Sequence, residues 1–241
     1  MQDKVKQAGE VDVSIVSENA NWTFDVPPAE FERHIERSIP FYRGGHDLVA
    51  QLSDFFLPEN AVVYDIGTTT GAIPRKILSR HPEKIFHTTG IDVVASMIAY
   101  AAAETPDPRA SFVCGNALEY EFEKSNFIVL YYTLQFIHPS VRISLLEKIY
   151  DSLHWGGGLV IFEKVRAPDA RFQDYMTQLY TEFKLANNFS PDQILNKERS
   201  LKGILEPFSQ RGNLTLLEEA GFSDIMTVFK HICFEGWLAI K

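Results

Sequence analysis

From Ala61 onward short apolar runs alternate with segments of helical period: "AVVYDIG", "AIPRKILSRH", "FHTTGID", "VASMIAYAAAE", "ASFVCGN" and "NFIVLYY". Strands that follow one another through helices pair in parallel, and such a sheet is covered on both faces, so the alternation predicts an α/β fold. "PSVRISLLEKIYDSLHWGGG" extends the scheme as an amphipathic helix with Ile143, Leu146, Ile149, Tyr150 and Leu153 inward and a stop at Gly156 to Gly158. A strand "LVIFEKV" follows. The chain closes with a helix, "NLTLLEEAGF", and two runs, "IMTVFKHI" and "FEGWLAIK", spaced to pair as an antiparallel hairpin.

Two helices are predicted before the sheet. "PPAEFERHIERSI" places Phe31, Ile35 and Ile39 on one stripe, and "GGHDLVAQLSDFFL" does so with Leu48, Leu52 and Phe55 or Phe56. Residues 1–20 are polar without a sustained period and read as a loosely held arm; residues 21–241 read as a single domain, since no linker interrupts them. The stretch 169–210 is polar, helical and rich in aromatics, too long for a simple crossover, and is expected to cover one end of the sheet as a lid.

The formal net charge of −9 works against an anionic polymer or membrane surface as partner, which leaves small molecules and predicts no nucleic-acid and no membrane partner. No run reaches the ~18 apolar residues of a membrane span, and no signal-peptide core opens the chain, so the expected location is the cytoplasm. Cys114 and Cys233 lie in apolar settings, lack metal-ligand spacing, and are expected to be buried thiols; no metal site is predicted.

"DIGTTTGA" marks the functional end of the sheet. Ligands of open parallel sheets bind beyond the carboxyl ends of the strands, and this loop closes the first of them. Asp65 and Gly67 are placed at the ligand, with Gly67 giving a sharp turn and close backbone approach, while Thr68, Thr69 and Thr70 supply hydroxyls and amides at a helix N-terminus. The G-x-x-x-G spacing lacks the middle glycine of a dinucleotide loop, leaving less room for a pyrophosphate. Asp92 ends the next strand, where a carboxylate can fork to two sugar hydroxyls; it can also cap the helix that follows.

After the third and fourth strands, Asn116 and Ala117 are placed to read a heteroaromatic edge, and Tyr131 and Tyr132 lie over the crevice. Neighbouring strand residues point to opposite sides, so one tyrosine is expected in the core and the other in the pocket. Tyr42 and Arg43, after "SIPF", are expected to close over the ligand; the same stretch can be a plain helix-to-helix joint. His46 and His138 fall near the mouth and read as packing or surface residues. No nucleophilic triad or carboxylate pair stands out.

"DIGTTTGA", "IDVVASMI", "GNALEYEF" and "VLYYTLQF" resemble the class I S-adenosylmethionine (SAM) dependent methyltransferase superfamily. "SIPFYRGG", "TLQFIHPSVRISLLEKIYDSLHWGGGLVIFEK", "FKLANNFS" and "AGFSDIMTVFKHICFEGWLAIK" resemble its carboxy-SAM synthase branch, over nearly all of residues 22–241. The resemblance implies a Rossmann-like, seven-stranded sheet with an antiparallel last strand, and SAM as cofactor. Carried over position by position, its SAM contacts fall on Tyr42, Gly67, Thr68, Thr69, Asp92, Val93, Asn116, Ala117 and Tyr131. Val93 and Tyr131 stand where that branch has asparagine, Thr68 and Thr69 where it has cysteine and serine, and Asn116 where it has aspartate.

In that branch an arginine of the lid clamps the carboxylate of a carboxy-sulfonium. Here the matching position in "NKERS" is Glu198, with Arg199 one residue later, and one residue turns a helical side chain by about 100°. Glu198 would repel such a carboxylate, so carboxy-SAM synthesis is expected to be lost unless the lid slips to present Arg199. A sulfonium carbon is already activated, so alignment and water exclusion are the tasks left to the protein. Tyr131, Tyr132 and Tyr175 are expected to hold the sulfonium through their ring faces, and Arg199 to contact the ligand. The reaction readings are methyl or alkyl transfer to a small-molecule nucleophile, cyclisation of SAM itself to azetidine-2-carboxylate and methylthioadenosine, or carboxy-SAM synthesis with a displaced clamp. Binding of SAM without turnover is the non-enzymatic alternative, and assembly as a homodimer is left open.

Overall fold

The computed structural model describes residues 26–241; the arm expected over residues 1–20 lies outside them. Helices α1 (Pro28–Ser38) and α2 (Tyr42–Leu52) precede the sheet. Strands β1 (Ala61–Ile66), β2 (Phe86–Asp92), β3 (Ala110–Cys114), β4 (Ser125–Tyr131) and β5 (Leu153–Lys164) follow, separated at three of the crossings by helices α3 (Ala72–Arg80), α4 (Ala95–Glu104) and α5 (Pro139–Ser152). After β5 come α6 (Ala170–Ala186), α7 (Pro191–Ser200) and α8 (Gln210–Glu219), then β6 (Asp224–His231) and β7 (Phe234–Ile240).

The seven strands lie in the order β3-β2-β1-β4-β5-β7-β6. β1 to β5 are parallel; β7 runs antiparallel to both β5 and β6. The order reverses between β1 and β4, which opens a crevice at their carboxyl ends. Alternation along the strands divides the core in two. Val63, Phe127, Val129 and Phe162 pack with Val49 of α2 and Ile73 and Ile77 of α3. Tyr64, Ile66, Ile128 and Leu130 face the other way, onto Leu145, Leu146 and Ile149 of α5 and Leu217 of α8.

Three expectations are corrected here. The helix before β5 stops at Ser152, and the glycines sit inside an extended β5 that starts at Leu153. Gly156 bonds its N–H to the carbonyl of Lys241, so the "WGGG" stretch is held as the first part of an interior strand instead of a helix cap. Cys233 is buried, but Cys114 is exposed, because β3 is an edge strand with only half-buried neighbours.

Candidate active site

A cavity of about 520 Å³ lies over the carboxyl ends of β1, β2 and β4 and under the N-terminal helices and the lid. Its size is that of a small-ligand pocket. From the β1 loop it is lined by Asp65, Gly67, Thr68 and Thr69, and from β2 by Asp92 and Val93. Asn116 and Ala117 line it after β3, and Tyr131 and Tyr132 after β4. Tyr42 and His46 enter from α2, while His138 borders it at the N-terminus of α5. The fold thus gathers residues far apart in sequence at one lip.

The β1 loop is built differently from its sequence reading. The N–H groups of Gly67 and Thr68 both bond to the carbonyl of Ile91, and that of Thr69 bonds to Asp92 Oδ2 at 2.9 Å. Thr68 Oγ1 donates to Asp65 Oδ2 at 2.7 Å. These donors are spent inside the protein, so the loop is no phosphate cradle. Gly67 has φ +76°, and a Cβ there would meet Thr133 Oγ1 at 2.3 Å. Its glycine is therefore required by the turn and by the β4 loop packed against it.

Asp92 binds two backbone amides, Thr69 through Oδ2 and Val94 through Oδ1, each at 2.9 Å. It joins the β1 loop to the turn before α4 and lines the cavity; it is not the cap of α4, whose N-cap is Val94 without a side-chain bond. Burial raises its pKa, against the lowering effect of those amides. Asp65 is more deeply buried, and desolvation pushes it up to about 7, opposed by the Thr68 hydroxyl. Its Oδ1 is buried without a hydrogen-bond partner, a costly state in a closed site. Asn116 Oδ1 accepts from the N–H of Leu118, which leaves its amide nitrogen as the group available for recognition.

Tyr131 and Tyr132 both line the cavity and both are buried, contrary to the alternation expected of a strand. Tyr132 follows the last residue of β4 and has φ +61°, so the chain turns left-handed between the two rings and swings them to one side, with centroids 4.7 Å apart. Gln135 seats this bend: its Nε2 donates to Tyr132 O at 3.2 Å and its Oε1 accepts from Lys164 N at 3.0 Å. Burial also lifts Glu163 to about 8; Arg142 is its main opposing charge, and its Oε1 accepts from Leu134 N in the same loop.

Tyr175 and Arg199 do not reach the cavity. Tyr175 is 58% exposed on the outer face of α6, beside Phe172 and Leu179, so this stripe is neither core nor site. Arg199 is exposed and Glu198 lines the cavity instead, as the 3.6-residue turn of α7 dictates. Arg43 is exposed and pairs with Glu36 at 2.5 Å.

The lid end holds residues that the sequence reading missed. Lys164, at the end of β5, and Lys184, on α6, both line the cavity, with ammonium groups 4.6 and 4.5 Å from the Tyr180 ring centroid. Lys184 is bound to Glu198 at 3.1 Å. Desolvation lowers the pKa of Lys164, aided by Lys184 and opposed by Cys233 and Glu198. Nothing in "FEKV" or "FKLANN" separates these lysines from surface ones; only docking of the lid on the sheet brings them inward. Among the described residues no cluster suited to a metal ion occurs, and no helix is long and apolar enough to cross a membrane.

The strand order and the cavity at its switch point define a class I SAM-dependent methyltransferase fold. A family described as a methyltransferase domain matches residues 63–157. Human N-acetylserotonin methyltransferase, solved with SAM, superposes with a TM-score of 0.60 at 20% identity, over 89% of this chain but only 55% of that one. A SAM-dependent methyltransferase from Methanosarcina mazei gives 0.59 at 17% identity, over 79% and 96% of the two chains.

Closer in sequence is the carboxy-S-adenosyl-L-methionine synthase of Staphylococcus epidermidis, 33% identical over 91% of this chain and 97% of its own. That of Campylobacter jejuni subsp. doylei is 36% identical over 88% and 90%. The chain belongs to this carboxy-SAM synthase family, and it is a SAM-dependent transferase. The residues present fit SAM: the cavity has the volume for it, and the partnerless buried oxygen of Asp65 calls for a donor such as the ligand's ammonium.

Proposed function

We propose that this enzyme acts at the sulfonium of SAM inside a partly covered cavity, passing a carbon to a small nucleophile or to SAM's own amine. The observation that carries this reading is the covered cavity at the sheet lip. Walls from α1, α2, α6 and α7 partly cover the lip and leave about 520 Å³, enough for the cofactor and a small companion. When bound, SAM supplies a carbon activated for displacement; for the intramolecular route the ammonium must first give up a proton, to the Asp65 carboxylate or to solvent, so that the neutral amine forms the C–N bond as the C–S bond breaks and methylthioadenosine leaves. The chain's residues would hold and orient it: Asp92 at the sugar diol, Val93 and Asn116 at the base, Ala117 beside it, and Asp65 with the Gly67–Thr69 turn at the amino-acid end. Tyr42, Tyr131 and Tyr132 form an apolar, aromatic wall that excludes water from the reacting centre.

Incubation of the protein with SAM alone, followed by mass spectrometry, separates the outcomes. Methylthioadenosine with azetidine-2-carboxylate marks cyclisation, and S-adenosylhomocysteine formed only on adding acceptors marks transfer. Absence of either product, with and without a panel of small amines, thiols and carboxylates, sinks the reading.

A second reading, carboxy-SAM synthesis as named for the relatives, is supported by Lys164 and Lys184. The repulsion expected from Glu198 is offset by its pairing with Lys184, and Lys164 adds a further cation at that end. Carboxy-SAM, formed only when a small-molecule carboxyl donor is supplied together with SAM, would establish it, since SAM alone holds no carboxyl group to place on the sulfonium carbon.

Asp65 gives this site a pH signature. A carboxyl with a pKa of about 7 must ionise to pair with an ammonium, so SAM affinity is expected to rise from about pH 5.5 to about pH 7, by up to about tenfold per unit at the acid end. Titration calorimetry across that range checks it, and Asp65→Asn should flatten the profile.

A further inference from the structure

The wall between the N-terminal helices and β4 carries three rings in mutual contact. Tyr42 and His46, one turn apart on α2, have centroids 4.5 Å apart; His46 lies 4.7 Å from Tyr131, and Tyr131 lies 5.3 Å from Tyr42. Their planes are tilted from one another by about 60°, and all three line the cavity. The Tyr131 hydroxyl donates to the carbonyl of Tyr42 at 2.7 Å, which ties the strand-end ring to the helix.

Room for this contact is made by Gly45. A Cβ at that position would lie 2.0 Å from Tyr131 Oη and 2.9 Å from its Cζ, so the ring rests directly on the backbone of α2. Two successive glycines, Gly44 and Gly45, in the first turns of a helix sacrifice helix propensity, and the seating of Tyr131 accounts for Gly45. The wall also carries no formal charge. Burial, with Lys76 next in effect, pulls His46 down to about 3, so the imidazole is neutral at any working pH.

We propose that the contacting rings of Tyr42, His46 and Tyr131 make the cavity selective for a cationic sulfonium over the neutral thioether that remains after transfer. The inference rests on the reading that SAM occupies this cavity. A ring face attracts a cation through its quadrupole and offers no such attraction to an uncharged sulfur, whereas contacts to adenine, sugar and amino acid are common to both compounds; the Asp65 carboxylate, which acts on Tyr42, also favours the cation, so the rings' share is what the Tyr131 variants read. A desolvated neutral wall therefore acts on the difference between them. It favours retention of the reactive form and release of the spent one.

The test is calorimetric titration with SAM, with S-adenosylhomocysteine and with sinefungin, a non-reacting analogue that bears an ammonium near the sulfonium position. The wild type is expected to bind SAM and sinefungin about 3- to 30-fold more tightly than S-adenosylhomocysteine. Tyr131→Leu should bring that ratio towards one, while Tyr131→Phe, which keeps the ring face, should preserve it. His46→Leu provides the same test if Tyr131→Leu does not fold. Thioether binding as tight as that of SAM in the wild type, or an unchanged ratio in Tyr131→Leu, overturns the proposal and leaves SAM as the ligand. Failure of all three compounds to bind overturns the underlying reading as well.

Discussion

Asp92→Ala is expected to weaken SAM binding about a hundredfold or more. Both oxygens of Asp92 already accept a backbone N–H, from Thr69 and Val94, and a carboxylate has about four acceptor positions, so two remain for a sugar diol. Hydrogen bonds to a charged group contribute about 1.5–3 kcal/mol each, and two of them account for the loss. The substitution also frees Thr69, whose left-handed φ of 47° is held by that bond. Asp92→Asn retains one acceptor and should fall between the two proteins. Calorimetry reports the affinity, and a thermal melt confirms that the variant is folded; alanine binding SAM like the wild type would remove Asp92 from the site.

Arg142→Ala is expected to destabilise the fold by about 3–5 kcal/mol, the range for removing one member of a buried charged network. Arg142 is fully buried. Its Nε donates to Ile137 O at 2.8 Å, and one terminal nitrogen donates to Gln135 O at 3.2 Å and to Glu206 O at 2.8 Å. The guanidinium lies 4.4 Å from the Phe208 ring centroid. Truncation leaves three carbonyls without this donor and removes the cation that opposes the raised pKa of Glu163. Arg142→Lys should recover only part of the loss, since a single ammonium cannot reproduce the planar fork. Urea midpoints measure both. Gln135, which Arg142 anchors, also seats the bend at Tyr132, so SAM affinity is expected to fall in these variants even where they remain folded. A midpoint unchanged in Arg142→Ala would show the network to be dispensable.

The two effects lie on different links between structure and function. Asp92 touches the ligand space and also shapes the loop beside it. Arg142 sits away from the cavity and acts through the loop after β4, whose carbonyls it collects. A binding defect with an intact melt is therefore the signature of the first, and a parallel loss of stability and affinity that of the second.

Much of the architecture could be read before any coordinates. The alternation from Ala61 to Lys164 and the closing hairpin specify strands and helices by period alone, and period is a local property. The same holds for the placement of Asp65, Gly67, Asp92 and Asn116 at the cavity, because the crevice of a parallel sheet lies at the carboxyl ends of its strands and those ends are visible as breaks in apolar runs. Resemblance to the carboxy-SAM synthases extended this to the antiparallel last strand, β7, which pairs with β5 and β6.

What local pattern could not supply was orientation. Tyr131 and Tyr132 share one side only because a positive φ interrupts the strand, and Tyr175 and Arg199 face solvent because helices α6 and α7 dock by their other faces. Lys164 and Lys184 meet over Tyr180, and Gly45 makes way for Tyr131, through contacts between segments distant in the chain. The sequence by itself determined which elements form and where the sheet's binding edge lies, since both follow from periodicity and strand ends. Only the tertiary structure decided which side chains fill that edge and which hydrogen-bond donors remain free, because burial and pairing are settled when separate elements compete for the same space.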